Sequence, residues 1–192
     1  MLAARVVAVY AGNMSATSLE TLGTQIRTSV HALTSWEALG LTYDERLTQQ
    51  IIAQCPEDLQ RPPQEEGQRR EARAVSQACR VAAWKLMCPL VERLFADEKY
   101  EDARANWQLF GVNYYETGDF FPPHRDLNNS GIMTIVIATV SGIRRLNVEG
   151  STLTLEPRSI AILDGSANPL HSAYCEEGPS VSIVADIPEL LY

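Results

Sequence analysis

After Trp107 the chain changes character, and that change constrains its fold more than any other feature. Residues 107–115, 133–140, 145–148, 152–155, 160–163 and 181–185 form short strand-like runs. Turn signals separate them: Ser141-Gly142, Glu149-Gly150 and Asp164-Gly165. Many short strands at regular spacing fold into a sandwich or barrel, a class that includes jelly rolls and cupins. The first half reads differently. Val6 to Ala11 is a short strand, and the stretch 17–34 is helix-compatible, with Leu19, Leu22, Ile26, Val30 and Leu33 at helical spacing. A second helix is expected over 44–52, a loop over 58–67, and the longest helix over 68–96. In that last segment Val75, Ala78, Ala82, Leu86, Leu90 and Leu94 form one stripe, which Pro89 should kink or split. The expectation is an α+β fold in a single domain over 1–192. A β core covers about 105–192, and a helical layer from about 1–104 packs on it.

At 192 residues the chain can bury a real core without covalent staples. A net charge of −8 argues against nucleic acid as the main partner. No run of 18 apolar residues is present, and the N-terminal residues do not form a signal peptide, so no membrane role is expected. The four cysteines (Cys55, Cys79, Cys88 and Cys175) have neither CxxC spacing nor a dense secreted pattern. They are expected to be reduced, in a cytoplasmic protein.

Histidine is scarce, with three in the chain, and two of them pair with an aspartate. His124 and Asp126 stand two apart, so on an extended strand both side chains point to one face while Arg125 points away. His171 has to arrive from a distant strand, which a closed β fold allows. Two imidazoles and one carboxylate, with open coordination positions, form the facial set that binds Fe(II); Mn, Co, Ni or Zn could use the same ligands. An HxD pair by itself is a weak signal, and its context gives it weight.

In that context the C-terminal half resembles the double-stranded β-helix of the Fe(II)/2-oxoglutarate-dependent oxygenases. The matching features come in order. They are a YxxG turn (Tyr115–Gly118), HxD (His124–Asp126), a buried strand (133–140), a Gly-containing strand (141–148), a Pro turn (Glu156-Pro157) and the distal His171. The resemblance covers about 106–188. It implies Fe(II) on His124, Asp126 and His171, with 2-oxoglutarate and O2 as co-substrates. It also implies oxidative decarboxylation to succinate and CO2, coupled to hydroxylation or desaturation of a substrate. Relatives that halogenate lack the carboxylate ligand, so Asp126 favours the former reactions.

One family position departs. The arginine that usually holds the far carboxylate of 2-oxoglutarate is Ser180 here, although Ser182 occupies the usual serine position. No Lys or Arg follows Arg158. A buried dicarboxylate without a cation is costly. Some relatives take the cation from a strand after HxD, and Arg144 shares parity with the apolar Leu146 and Val148, which points it inward. Arg145 is the alternative if a bulge shifts the register, and Arg158 is a weaker one. Tyr115 is the next candidate for the co-substrate carboxylate, with core packing as its other reading, and Asn113 could join it. Asn113-Tyr114-Tyr115 faintly resembles the nucleic-acid demethylase branch, whose two arginines after the distal histidine are missing here.

The rival readings are a 2-oxoglutarate-independent cupin-type metal enzyme and a non-catalytic binding module on the same fold. The substrate class is a small molecule or a carrier- or peptide-borne residue, and the oligomeric state is not readable. His31 is expected on a helix, Trp36, Trp84 and Trp107 in the core, and Cys175 in a structural role.

Overall fold

The computed structural model describes residues 6–8, 31–58, 70–72, 76–94, 108–125, 132–165 and 168–188. Nine strands are described: β1 (Val6–Ala8), β2 (His31–Ser35), β3 (Arg70–Ala72), β4 (Gln108–Tyr115), β5 (Phe120–His124), β6 (Ile132–Val148), β7 (Ser151–Leu155), β8 (Ser159–Asp164) and β9 (His171–Pro188). Two helices accompany them, α1 (Glu45–Asp58) and α2 (Gln77–Leu94).

The strands form two layers that share β6 and β9. The larger layer has the order β1-β2-β8-β6-β9-β4-β3 and uses the first part of β6 and the last part of β9. The smaller runs β7-β6-β9-β5 and uses the remaining part of each. Side-chain parity reverses as the long strands pass between layers. In β6, Ile135 and Ile137 face the interior, and so do Leu146 and Val148 beyond the irregular pairing at Thr139–Arg144. In β9, Ala173 and Cys175 face inward, followed by Val184. Gly142, with φ +69, marks the crossing in β6.

Outside the larger layer lies a second core. Val136, Ala138, Ile160, Ile183 and Ile187 bury their outer faces against Leu47, Ile51, Leu86, Met87 and Leu90. Asp44 caps α1, its Oδ1 accepting from the Leu47 amide at 3.0 Å, and Ser76 caps α2, accepting from the Cys79 amide at 3.2 Å. The two helices pack on the outer face of the larger layer. α2 falls within the segment read as helical, whereas α1 runs past the expected end at Ile52 as far as Asp58.

Several local expectations change. Residues 31–35 are strand, with β2 hydrogen-bonded between β1 and β8, so the helical reading fails there and His31 lies on a strand. Arg70–Ala72 is a strand on β4, so the helix begins at Gln77 and not near residue 68. Pro89 does not split that helix, which runs continuously to Leu94. Residues 133–140 and 145–148 belong to one strand. Trp36 is buried, whereas Trp84 is exposed on α2. The expected loop at 58–67 and the periodic residues 17–30 lie outside the described residues, apart from the helix end at Asp58. No described helix is long and apolar enough to cross a membrane.

Candidate metal centre and barrel interior

Pro122 and Pro123 cannot donate ladder hydrogen bonds, which suits an edge strand. Among the described strands β5 pairs with β9 alone, and its register shifts between Phe121 and His124. That pairing sets His124 directly opposite His171, the first residue of β9. The two rings stand 4.2 Å apart between centroids, tilted by 56°. Phe121 packs edge-on against His124 at 3.9 Å.

Each imidazole is oriented by the same local device. His124 Nδ1 lies 2.9 Å from the Pro122 carbonyl oxygen, and His171 Nδ1 lies 2.9 Å from the Pro169 carbonyl oxygen. A carbonyl oxygen only accepts, so Nδ1 carries the proton and the ring lone pair belongs to Nε2. This tautomer is the one a metal-ligating histidine uses, with the backbone carbonyl orienting the ring behind it. Asp126 lies outside the described residues. Among those described, no group of three or more His, Cys, Asp or Glu side chains gathers as a complete ligand set. The structure thus brings together the two histidines of the expected triad, in a form suited to a divalent metal.

Behind the histidines the interior turns polar. Asn113 on β4, Ser182 on β9 and Thr139 on β6 pair in one row across three strands, and Tyr115 pairs with Ser180 in the next. All five are buried. The hydroxyls of Thr139, Ser180 and Ser182 are buried without a hydrogen-bond partner among the described residues, an expensive state for the closed protein alone.

Arg144 enters this interior. It is 3% exposed, and its guanidinium carbon lies 4.8 Å from the centre of the Tyr115 ring. Its parity with Leu146 and Val148 is the expected one. Arg145 points outward, where its Nε meets Glu176 Oε1 at 2.7 Å and its Nη1 donates to Thr154. Arg158 is also outside, on a turn, paired with Glu37 and Glu45. Neither alternative cation reaches the interior.

Position 180 lies close against the β6 backbone. A Cβ on Gly142 would stand 2.6 Å from Ser180 Cα, so the β6 backbone lies directly over this position. Opposite Arg144 in the ladder is Cys175, fully buried, its thiol donating weakly to the Tyr115 carbonyl at 3.9 Å. Burial pushes the Cys175 thiol above its ordinary value, and the nearby Arg144 charge offsets part of that. The Tyr115–Gly118 segment ends in a turn sealed by Asp119, whose Oδ2 accepts from the Glu116 amide at 2.8 Å, and β9 docks on it through Gly118 and Cys175.

Thr139 is an interior polar residue that the motif reading passed over. Its parity with Ile135 and Ile137 is the signal that would have found it. Ser180, where the family's usual arginine is missing, is buried opposite Tyr115.

No protein-family profile matches this chain. No curated protein matches it by sequence either. Its fold is similar to solved structures of low identity. One is a prolyl hydroxylase from Trichoplax adhaerens, in complex with a peptide fragment of the hypoxia-inducible factor oxygen degradation domain. It is 13% identical, with TM-score 0.62, over 90% of this chain and 91% of that one. A 2OG-Fe(II) oxygenase-family oxidoreductase from Burkholderia pseudomallei is 10% identical, with TM-score 0.59, over 96% and 97%. The α-ketoglutarate-dependent epimerase SnoN of nogalamycin biosynthesis is 15% identical, with TM-score 0.61, over 89% and 83%. At these identities the likeness establishes the shared double-stranded β-helix.

Proposed function

We propose that this chain is a non-haem Fe(II)- and 2-oxoglutarate-dependent dioxygenase. Its substrate is a small molecule or a carrier- or peptide-borne residue, which it hydroxylates or desaturates. One observation carries the reading: a buried arginine shares the interior of a double-stranded β-helix with two histidines oriented for metal binding. The residues fit the group. His124 and His171 would bind Fe(II) through Nε2, with Asp126 as the third ligand. The buried Arg144 guanidinium would hold the far carboxylate of 2-oxoglutarate with parallel N–H donors. Tyr115, Asn113, Thr139, Ser180 and Ser182 offer the remaining donors around it.

Distances along the ladder agree with that division of labour. Arg144 lies opposite Cys175, four residues along β9 from His171, or about 13 Å at strand rise. An extended arginine and a five-carbon diacid together span such a gap. When bound, iron and 2-oxoglutarate would supply the oxidising chemistry, with O2 consumed and succinate and CO2 released. The chain's own work is orientation, charge compensation and water exclusion. Ile137, Leu146, Leu155 and Val184 form an apolar wall that strengthens the Arg144–carboxylate attraction.

One of the similar structures is a prolyl hydroxylase in complex with a peptide fragment, which favours a peptide-borne substrate among the options. Free Cys79, Cys88 and Cys175 suit a reducing, cytoplasmic setting. Anaerobic titration with Fe(II) and 2-oxoglutarate tests the proposal, and a visible metal-to-ligand charge-transfer band is expected. Metal uptake without that band would favour a 2-oxoglutarate-independent metal enzyme. No metal uptake would favour a binding module.

A further inference from the structure

Glu149 occupies an unfavourable backbone position. With Gly150 it forms the two-residue connection between β6 and β7, closed by the Val148–Ser151 pair. Both residues have positive φ, +47 at Glu149 and +82 at Gly150. Such a turn takes Asn, Asp or Gly at its first position, and a glutamate there is strained. A surface turn gains nothing from that choice unless the longer side chain is used.

The side chain is used twice. Glu149 Oε1 accepts from the Leu170 amide at 2.7 Å and meets Arg125 Nη1 at 3.1 Å. Leu170 immediately precedes His171, and Arg125 immediately follows His124. The Glu149 amide also donates to the Leu170 carbonyl at 2.9 Å, and Arg125 Nη1 donates to the Asn168 carbonyl. Val148, the neighbour of Glu149, is the ladder partner of His171. One carboxylate oxygen therefore ties together the chain segments that carry both histidines.

We propose that Glu149 is a positioning residue that fixes the separation of His124 and His171 and so raises metal affinity. This role rests on the metal-binding reading above. Glu149 acts through Arg125 and Leu170. An ordinary exposed ion pair would contribute little and would not justify the strained turn.

Glu149→Asn separates the two roles, because Asn-Gly is a preferred sequence for this turn but its side chain is one methylene shorter. Calorimetric titration with Co(II), without co-substrate or turnover, should show affinity weaker by about 10- to 100-fold, the usual effect of losing an orienting partner. The melting temperature of the metal-free variant should stay level or rise. Glu149→Gln keeps the reach and the acceptor for Leu170 and should fall between Glu149→Asn and the wild type. Hydrogen exchange at the Leu170 amide should accelerate in Glu149→Asn, a readout independent of metal. Unchanged Co(II) affinity, or unchanged Leu170 exchange, in a folded Glu149→Asn variant would overturn the proposal. A wild-type protein that takes up no Co(II) would sink the metal reading and the positioning role with it. The exchange rate would still report whether the Glu149–Leu170 contact exists.

Discussion

Gly142 lies over Ser180 so closely that a Cβ on the glycine would stand 2.7 Å from the serine Cβ and 2.5 Å from the Glu177 carbonyl oxygen. The backbone there is also left-handed, with φ +69. Gly142→Ala is therefore expected to destabilise the protein by about 2 kcal/mol or more, combining backbone strain with overpacking. Urea denaturation measures the loss directly.

The buried cation of the interior is Arg144, on β6. Arg144→Ala should weaken 2-oxoglutarate binding by about 3 kcal/mol, or more than a hundredfold, because a buried carboxylate would lose its partner. Metal affinity should be nearly unchanged. Equilibrium titration of the anaerobic protein distinguishes these outcomes, and full affinity in Arg144→Ala would remove the residue from the site.

His124→Ala and His171→Ala should each abolish tight Fe(II) or Co(II) binding while leaving the fold intact. Both residues stand at one end of the interior and are only partly buried. Metal content after dialysis, read beside circular dichroism, checks both halves of the expectation.

Cys175 should resist alkylation at neutral pH. Its raised pKa means that less thiolate is present than for an ordinary cysteine, and reactivity should climb only as the pH passes above the usual thiol range. Burial blocks the reagent as well. Burial pushes the Cys88 thiol up as well, so exposure sets the order, and iodoacetamide labelling followed by mass spectrometry should find the partly exposed Cys88 modified well before Cys175.

Leu90 lies fully buried between α2 and the larger sheet layer. Leu90→Ala should cost about 2–5 kcal/mol through lost transfer energy and a residual cavity. The expected signature is a lower thermal midpoint with unaltered metal stoichiometry, since the outer core is separate from the interior that holds Arg144.

The parts of the site that follow strand alternation were legible from sequence. Arg144 occupies the interior because a two-residue period decides the face, and Leu146 and Val148 mark which face is apolar, whereas Tyr115, Asn113 and Ser182 were reached through the family resemblance. His124 and His171 were legible as residue types, but their direct pairing depends on the register of β5 against β9, which no local signal encodes. Residues 31–35 failed for a related reason. Leu33 continues a helical stripe that begins at Leu19, yet the ladder with β8 determines the conformation of that segment. The Glu149 contacts were invisible because they join three segments that are remote in sequence.

The sharing of β6 and β9 between the two layers bears on how the interior can open. A clamshell opens by parting its halves, but here the halves are made from the same two strands. Spreading them would break ladder hydrogen bonds along β6 and β9, from Ile132 to Val148 and from His171 to Pro188. The histidines stand at the end where β9 begins. There Glu149 and Leu170 are hydrogen-bonded to each other beside His171, so a shift of either residue is passed to the strand that carries that histidine.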